Sequence, residues 1–142
     1  MSERILVPMD DSEPAVDALT YALESYPDST VEVFTVVDIT DGGYVDGAGL
    51  SWAHDDLQAA AEERGEAILE TARDIAAEHG VDIETEQTIG TPTRAIVDRC
   101  ASGDFDAVVI GSHGREGAPR VLLGSVAEMV VRRSPIPVTV VR

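Results

Sequence analysis

Five apolar runs recur along the chain, and the stretches between them carry apolar residues at helical spacing. Ile5-Leu6-Val7 reads as a buried strand that ends in Pro8-Met9-Asp10-Asp11. Ser12 or Asp11 can cap the helix that follows, with Pro14 in its first turn and Val16, Leu19 and Leu23 on its apolar face to about Tyr26. Val31 to Val37 is a second strand. Asp55 to His79 predicts a long helix with Leu57, Ala61, Ile68, Ala72 and Ile75 on one face and Gly80 as its stop. Val81 to Ile89 alternates as a strand with Glu84 and Glu86 outward, and Thr91-Pro92 opens a helix to about Ser102. Phe105 to Ile110 is a fourth strand, Ser125 to Arg133 a fourth helix, and Val138 to Val141 a last strand. Pro135 and Pro137 suit an edge position for that last strand. Strands alternating with amphipathic helices predict an α/β fold: a parallel sheet covered on both faces. No linker or repeat divides residues 1–142, so one domain is expected.

Charge changes this picture. The chain carries 27 acidic and 10 basic residues, a formal net charge of −17, and every basic residue is Arg. Without Lys it is neither a Walker A NTPase nor a Schiff-base or PLP enzyme. Such acidity argues against nucleic acid or an anionic membrane as partner, and a lysine-free acidic surface suits a halophile's salty cytoplasm. Met1-Ser2-Glu3-Arg4 running into a strand leaves no room for a signal peptide, so a cytoplasmic protein is expected. Cys100, the single cysteine, falls beside Ile96 and Val97 and reads as a small core residue. Residues 1–110 hold 25 acids against 5 Arg, net −20, and residues 111–142 hold 2 acids against 5 Arg, net +3. An anionic ligand is therefore least repelled in the last quarter of the chain, unless those Arg residues merely balance helix and strand ends.

That quarter opens on Gly111-Ser-His-Gly-Arg-Glu-Gly-Ala-Pro-Arg-Val-Leu-Leu-Gly-Ser125, between a strand end and a helix start. Gly111, Gly114 and Gly124 allow close backbone approach, and Ser125 is a good N-cap where free N–H groups favour an anion. Arg115 and Arg120 lie within reach of a phosphate. A loop that only turns the chain has the same glycines. The position adds weight: Asp10, Val37-Asp38 and Gly111 all fall at strand carboxyl ends, where parallel sheets bind ligands. The polar, Gly-rich stretch from Asp38 to His54 is expected to be mobile or functional. His113 is expected to hydrogen-bond backbone, and His54 and His79 read as surface residues without metal-ligand spacing.

Gly111, Gly114, Gly124 and Ser125 are spaced as in the universal stress protein family, which this chain resembles over essentially its whole length. Ile5 to Ser12, Gly90-Thr91-Pro92 and Pro135 to Val141 also resemble family segments, with Asp11 where Gly is commoner. The resemblance implies an open five-stranded parallel sheet of order 3-2-1-4-5, of the adenine nucleotide alpha hydrolase type. It implies a homodimer through Val138, Thr139, Val140 and Val141, and the ATP-binding branch. Pro8, Met9 and Asp10 would meet ribose or adenine, and Val37 would lie on the adenine. Gly111 and Gly114 would wrap ribose and phosphates, and Gly124, Ser125 and Val126 would hold the phosphates. Arg115 is added as the nearest cation. Mg²⁺ or Mn²⁺ would be bound mainly by phosphate oxygens. The expected function is a nucleotide-binding regulator of the stress-response type. A slow ATP hydrolase using Asp10 and Arg115, and a nucleotide-free interaction module, are the alternatives.

Overall fold

The computed structural model describes residues 3–38, 54–113 and 123–142, the side chains of 54 and 55 aside. Its elements are β1 (Arg4–Pro8), α1 (Glu13–Ser25), β2 (Thr30–Val37), α2 (His54–Glu78), β3 (Glu84–Ile89), α3 (Pro92–Ser102), β4 (Ala107–Gly111), α4 (Ser125–Arg133) and β5 (Val138–Val141). The strands form one parallel sheet of order β3-β2-β1-β4-β5, with β1 in register from Arg4↔Thr30 to Pro8↔Phe34 along β2. This is the order that the resemblance implies.

Local chemistry sets the helix ends. Ser12 caps α1: its Oγ accepts from the Ala15 N–H at 3.3 Å, and Pro14 occupies the first turn. Gly80 ends α2 at φ +68°, a conformation that costs a Cβ-bearing residue energy, while Val81 N–H donates back to the Ala76 carbonyl at 3.0 Å. The buried stripe of α2 is Ala61, Gly65, Leu69, Ala72 and Ala76, with Ile68 and Ile75 at its margin. It is rotated from the predicted face because small residues let the helix lie close to β2 and β3. At Gly65 a Cβ would come within 2.1 Å of Gln87 Oε1 and 3.3 Å of Val37 Cγ2.

Two strands begin later than their apolar patterns predict. Val81 and Ile83 pack against the helical core beside α1 and α2 instead of extending β3. Phe105 is buried against the opposite core, ahead of β4, and Asp104 turns the chain there at φ 57°.

Strand alternation splits the apolar side chains into two cores. Ile5, Val7, Val33 and Val109 pack with α1 and α2, and Leu6, Phe34, Val108 and Ile110 pack with α3 and α4. Cys100 lies buried in the second core, and burial pushes its thiol pKa up. The amino end of that second layer is closed by charge. Arg99 grips the buried Glu32 through Nε at 2.9 Å and Nη2 at 2.6 Å, which raises its pKa further. Arg4 reaches Glu84 at 3.1 Å, and both guanidinium groups lie over the Phe105 ring.

Candidate functional site

The carboxyl end of the sheet is open. α1 and α2 pack on one face and α3 and α4 on the other, so the connections leave β1 and β4 in opposite directions and part above them. Ligands bind at such a reversal of strand order. A cavity of about 880 Å³ occupies it, within the range of small-molecule and cofactor sites.

Each wall has a local cause. Met9 N–H donates to the Phe34 carbonyl at 2.9 Å, which carries the β1–β2 pairing one residue beyond Pro8. The chain then turns on Asp10, whose Oδ1 accepts from Ser12 N–H at 2.9 Å and from the Ser12 hydroxyl. Asp10 thereby holds Ser12 in place to cap α1. Val37 is fixed by its carbonyl, which accepts from Gly90 N–H at 3.1 Å. Gly111 ends β4 where the first turn of α1 crosses it: a Cβ there would lie 2.7 Å from the Pro14 carbonyl. Ser112 ties the next turn down, its N–H donating to the Val141 carbonyl at 2.8 Å and its carbonyl accepting from Gly124 N–H at 2.7 Å. His113 and Gly124 therefore lie side by side, and a Cβ on Gly124 would come 2.9 Å from His113 Cα.

The start of α4 corrects one expectation. Gly124, not Ser125, is the N-cap, and no side chain among the described residues caps the helix. Ser125 is its first residue, one position too late to turn its hydroxyl back on the first-turn amides. The first backbone bond of the helix runs from Glu128 N–H to the Gly124 carbonyl at 2.9 Å. The amides of Ser125, Val126 and Ala127 therefore have no intrahelical acceptor, and all three residues line the cavity. An uncapped first turn beside a cavity is suited to an anion.

Of the residues singled out in the sequence, Pro8, Met9, Asp10 and Val37 line the cavity from the β1 and β2 side. Gly111, Gly124, Ser125 and Val126 line it from the β4 and α4 side. Gly114, Arg115 and Arg120 lie outside the described residues, as do the stretch from 39 to 53 and the His54 side chain. Val138 to Val141 form the sheet edge, away from the cavity. Among the described residues the bond that His113 makes is to a side chain, not to backbone: its Nδ1 meets Ser112 Oγ at 3.1 Å, with Ser112 held beside it by its own bonds to Val141 and Gly124. His79 is at the surface, between the Ile75 carbonyl at 2.9 Å and Glu24 at 3.4 Å, and both raise its pKa.

Arg64 and Thr71 of α2 also line the cavity, and neither stands out in the sequence; Thr91, singled out there only as the start of α3 and within a family-like segment, lines it too. Gly65 was the available signal. A glycine inside a helix costs about 1 kcal/mol against Ala, which calls for a packing reason. That reason, contact with Val37 at the end of β2, places Arg64 at the cavity. Asp10, Asp11 and Asp38 line it with Arg64, so its described walls are mixed in charge. Among the described residues no group of three or more His, Cys, Asp or Glu could by itself hold a metal ion. No helix among them is long and apolar enough to cross a membrane.

Comparison with known proteins agrees with this architecture. The chain is 32% identical over 140 residues to universal stress protein MJ0531 of Methanocaldococcus jannaschii, covering 99% of this chain and 82% of that protein. The solved structure of MJ0577 from the same organism superposes with a TM-score of 0.81 at 27% identity, covering 99% of this chain and 96% of that one. A universal stress protein in complex with cAMP superposes with a TM-score of 0.69 at 27% identity, covering 99% and 97%. The universal stress protein family matches residues 1–142 throughout, and the chain belongs to that family.

Proposed function

We propose that the chain binds an adenine nucleotide, ATP by preference, in the cavity above β1 and β4, and acts as a nucleotide-dependent regulator. The observation that carries this is the uncapped first turn of α4 opening into a nucleotide-sized cavity at the reversal of strand order. The cAMP complex of a related protein supports a nucleotide in this fold. The phosphates would meet the amides of Ser125, Val126 and Ala127, with Gly111 and Gly114 beside them and Arg115 as the nearest loop cation. The adenine and ribose would lie toward Val37, Pro8, Met9 and Asp10. Mg²⁺ or Mn²⁺ would travel with the phosphates. Titration calorimetry with ATP and Mg²⁺ tests this: the wild type binds, and Gly124→Val, whose side chain has to displace His113, weakens binding by more than about tenfold. Equal affinity in the two proteins would count against the site.

A slow ATP hydrolase is the second reading. Asp10 spends one carboxylate oxygen, Oδ1, on both the N–H and the hydroxyl of Ser12, which ties it to capping α1 and favours binding over general-base chemistry. Steady turnover that disappears in Asp10→Ala would reverse that preference.

The assembly we propose is a homodimer in the cytoplasm. β5 is a half-buried Val-Thr-Val-Val strand at the sheet edge, paired with β4 on one side only among the described residues. Val140→Asp should yield monomers in sedimentation, and persistent dimers would place the interface elsewhere. The acidic, lysine-free composition supports a halophilic source. It predicts a melting temperature that climbs as KCl is added, and a melting temperature insensitive to KCl would oppose it.

A further inference from the structure

Arg64 is the one arginine among the described residues that line the cavity, and no role assigned above uses it. Packing sets its place. Gly65, the next residue, is buried where α2 meets the ends of β2 and β3, and a Cβ on it would lie 3.3 Å from Val37 Cγ2. The Arg64 backbone is therefore held beside Val37. Ala67, Ile68 and Thr71 follow three, four and seven residues later and line the cavity too. That spacing is one face of a helix, so α2 turns a single stripe to the cavity, with apolar surface from Ala67 and Ile68 and a cation at its rim. The open amides of Ser125, Val126 and Ala127 are at the other end. They belong to α4, which covers the opposite face of the sheet from α2. A ligand whose phosphates sit on α4 thus presents its base, not its phosphates, to Arg64.

We propose that Arg64 is a ligand-contacting residue whose guanidinium stacks on the face of the adenine base and leaves the phosphates to the other end of the cavity. This rests on the nucleotide reading of the cavity. The guanidinium is planar and weakly hydrated, so it stacks on aromatic faces, and a cation over such a face is attracted by its π electrons. The alternative is contact with an edge of the base, and there the donors do not match. The fork carries N–H donors only, and it fits the paired acceptors O6 and N7 of guanine. Adenine sets a donor, its amino group, beside N7. For an adenine ligand the face is therefore the better partner. Stacking occupies only the face of the guanidinium, so its in-plane N–H groups stay available to protein acceptors. Ala67 and Ile68 continue the same surface with apolar side chains, which suits a flat base that has left water.

The test uses the whole protein with adenosine and ADP as probes, in wild type and in Arg64→Gln, which keeps much of the stem and removes the charge. A stacked base predicts that both probes lose affinity by the same factor, about fivefold. A loss for ADP with adenosine unchanged would assign Arg64 to the phosphates and overturn this role, as would no loss for either probe. Independently of any variant's folding, the Arg64 Nε–H resonance of the wild type should move upfield when ADP is added, because the ring current of a stacked base shields it. A downfield shift, as a phosphate hydrogen bond gives, or an unmoved resonance overturns the stacking role and leaves the nucleotide reading standing. No binding of ADP to folded wild type overturns both.

Discussion

The two ends of the sheet are built oppositely. At the amino end, helix C-termini and strand starts are tied together by charge: Arg99 and Arg4 around Glu32, Arg4 with Glu84, and His79 with Glu24. Cations there also face the negative ends of the helix dipoles. At the carboxyl end the corresponding groups are left for a ligand. The first turn of α4 is uncapped, Thr91 makes no side-chain cap bond to α3, and the walls stand apart around the cavity. A fold that pairs buried charge at one end and leaves the first turn of α4 open at the other separates stability from binding.

The largest expected break is at the amino end. Arg99→Ala leaves the buried Glu32 carboxylate with Arg4 alone, at 3.9 Å, and should cost about 3 kcal/mol in urea unfolding. ATP binding by the folded variant should be unchanged. A cost near zero would mean that solvent reaches Glu32. Between the two ends, Thr35 sharpens the comparison. It is 1% exposed, and its Oγ1 has no hydrogen-bond partner among the described residues. Thr35→Val removes a buried hydroxyl at nearly constant shape and should stabilise by about 1 kcal/mol, read from the urea midpoint, without altering nucleotide affinity. A loss of stability would reveal a hidden partner.

The smallest effect is that of His79, which is exposed. Its pKa is raised by the Ile75 carbonyl first and Glu24 second. A raised folded-state value means a stabilising contribution fully present below the ordinary His value of about 6.5 and lost as pH rises through the higher folded value. The stability difference between wild type and His79→Gln should therefore narrow over that window. A difference that widens with pH would contradict the assignment.

Much of this was legible because it is local. Ser12 and Pro14 start α1, Gly80 stops α2, and apolar runs mark β1, β2, β4 and β5, while β3 shows only as an alternating stretch. The strand order came from resemblance, since apolar periodicity says nothing about which strands are neighbours. Other features depend on distant partners. Glu32 and Arg99 are 67 residues apart, and nothing around either one marks the pair. The α2 stripe is set by how closely Gly65 approaches Gln87 and Val37, so the count of large apolar residues misplaced it. At the site, the glycine pattern located the α4 turn but not its cap. Serine is a strong N-cap residue, yet the bond between Gly124 N–H and the Ser112 carbonyl fixes where the helix begins. Arg64 stayed hidden because it lies in a charged helix face that looks like any other.

One measurement tests most directly whether the open end is a nucleotide site. The protein is purified in high KCl, denatured, and the released small molecules are chromatographed. Stoichiometric adenine nucleotide from the wild type, and none from a folded Gly114→Val variant, is the predicted result. No nucleotide, together with no binding of added ATP and Mg²⁺ to demonstrably folded protein, would contradict it and leave the glycine loop a turn.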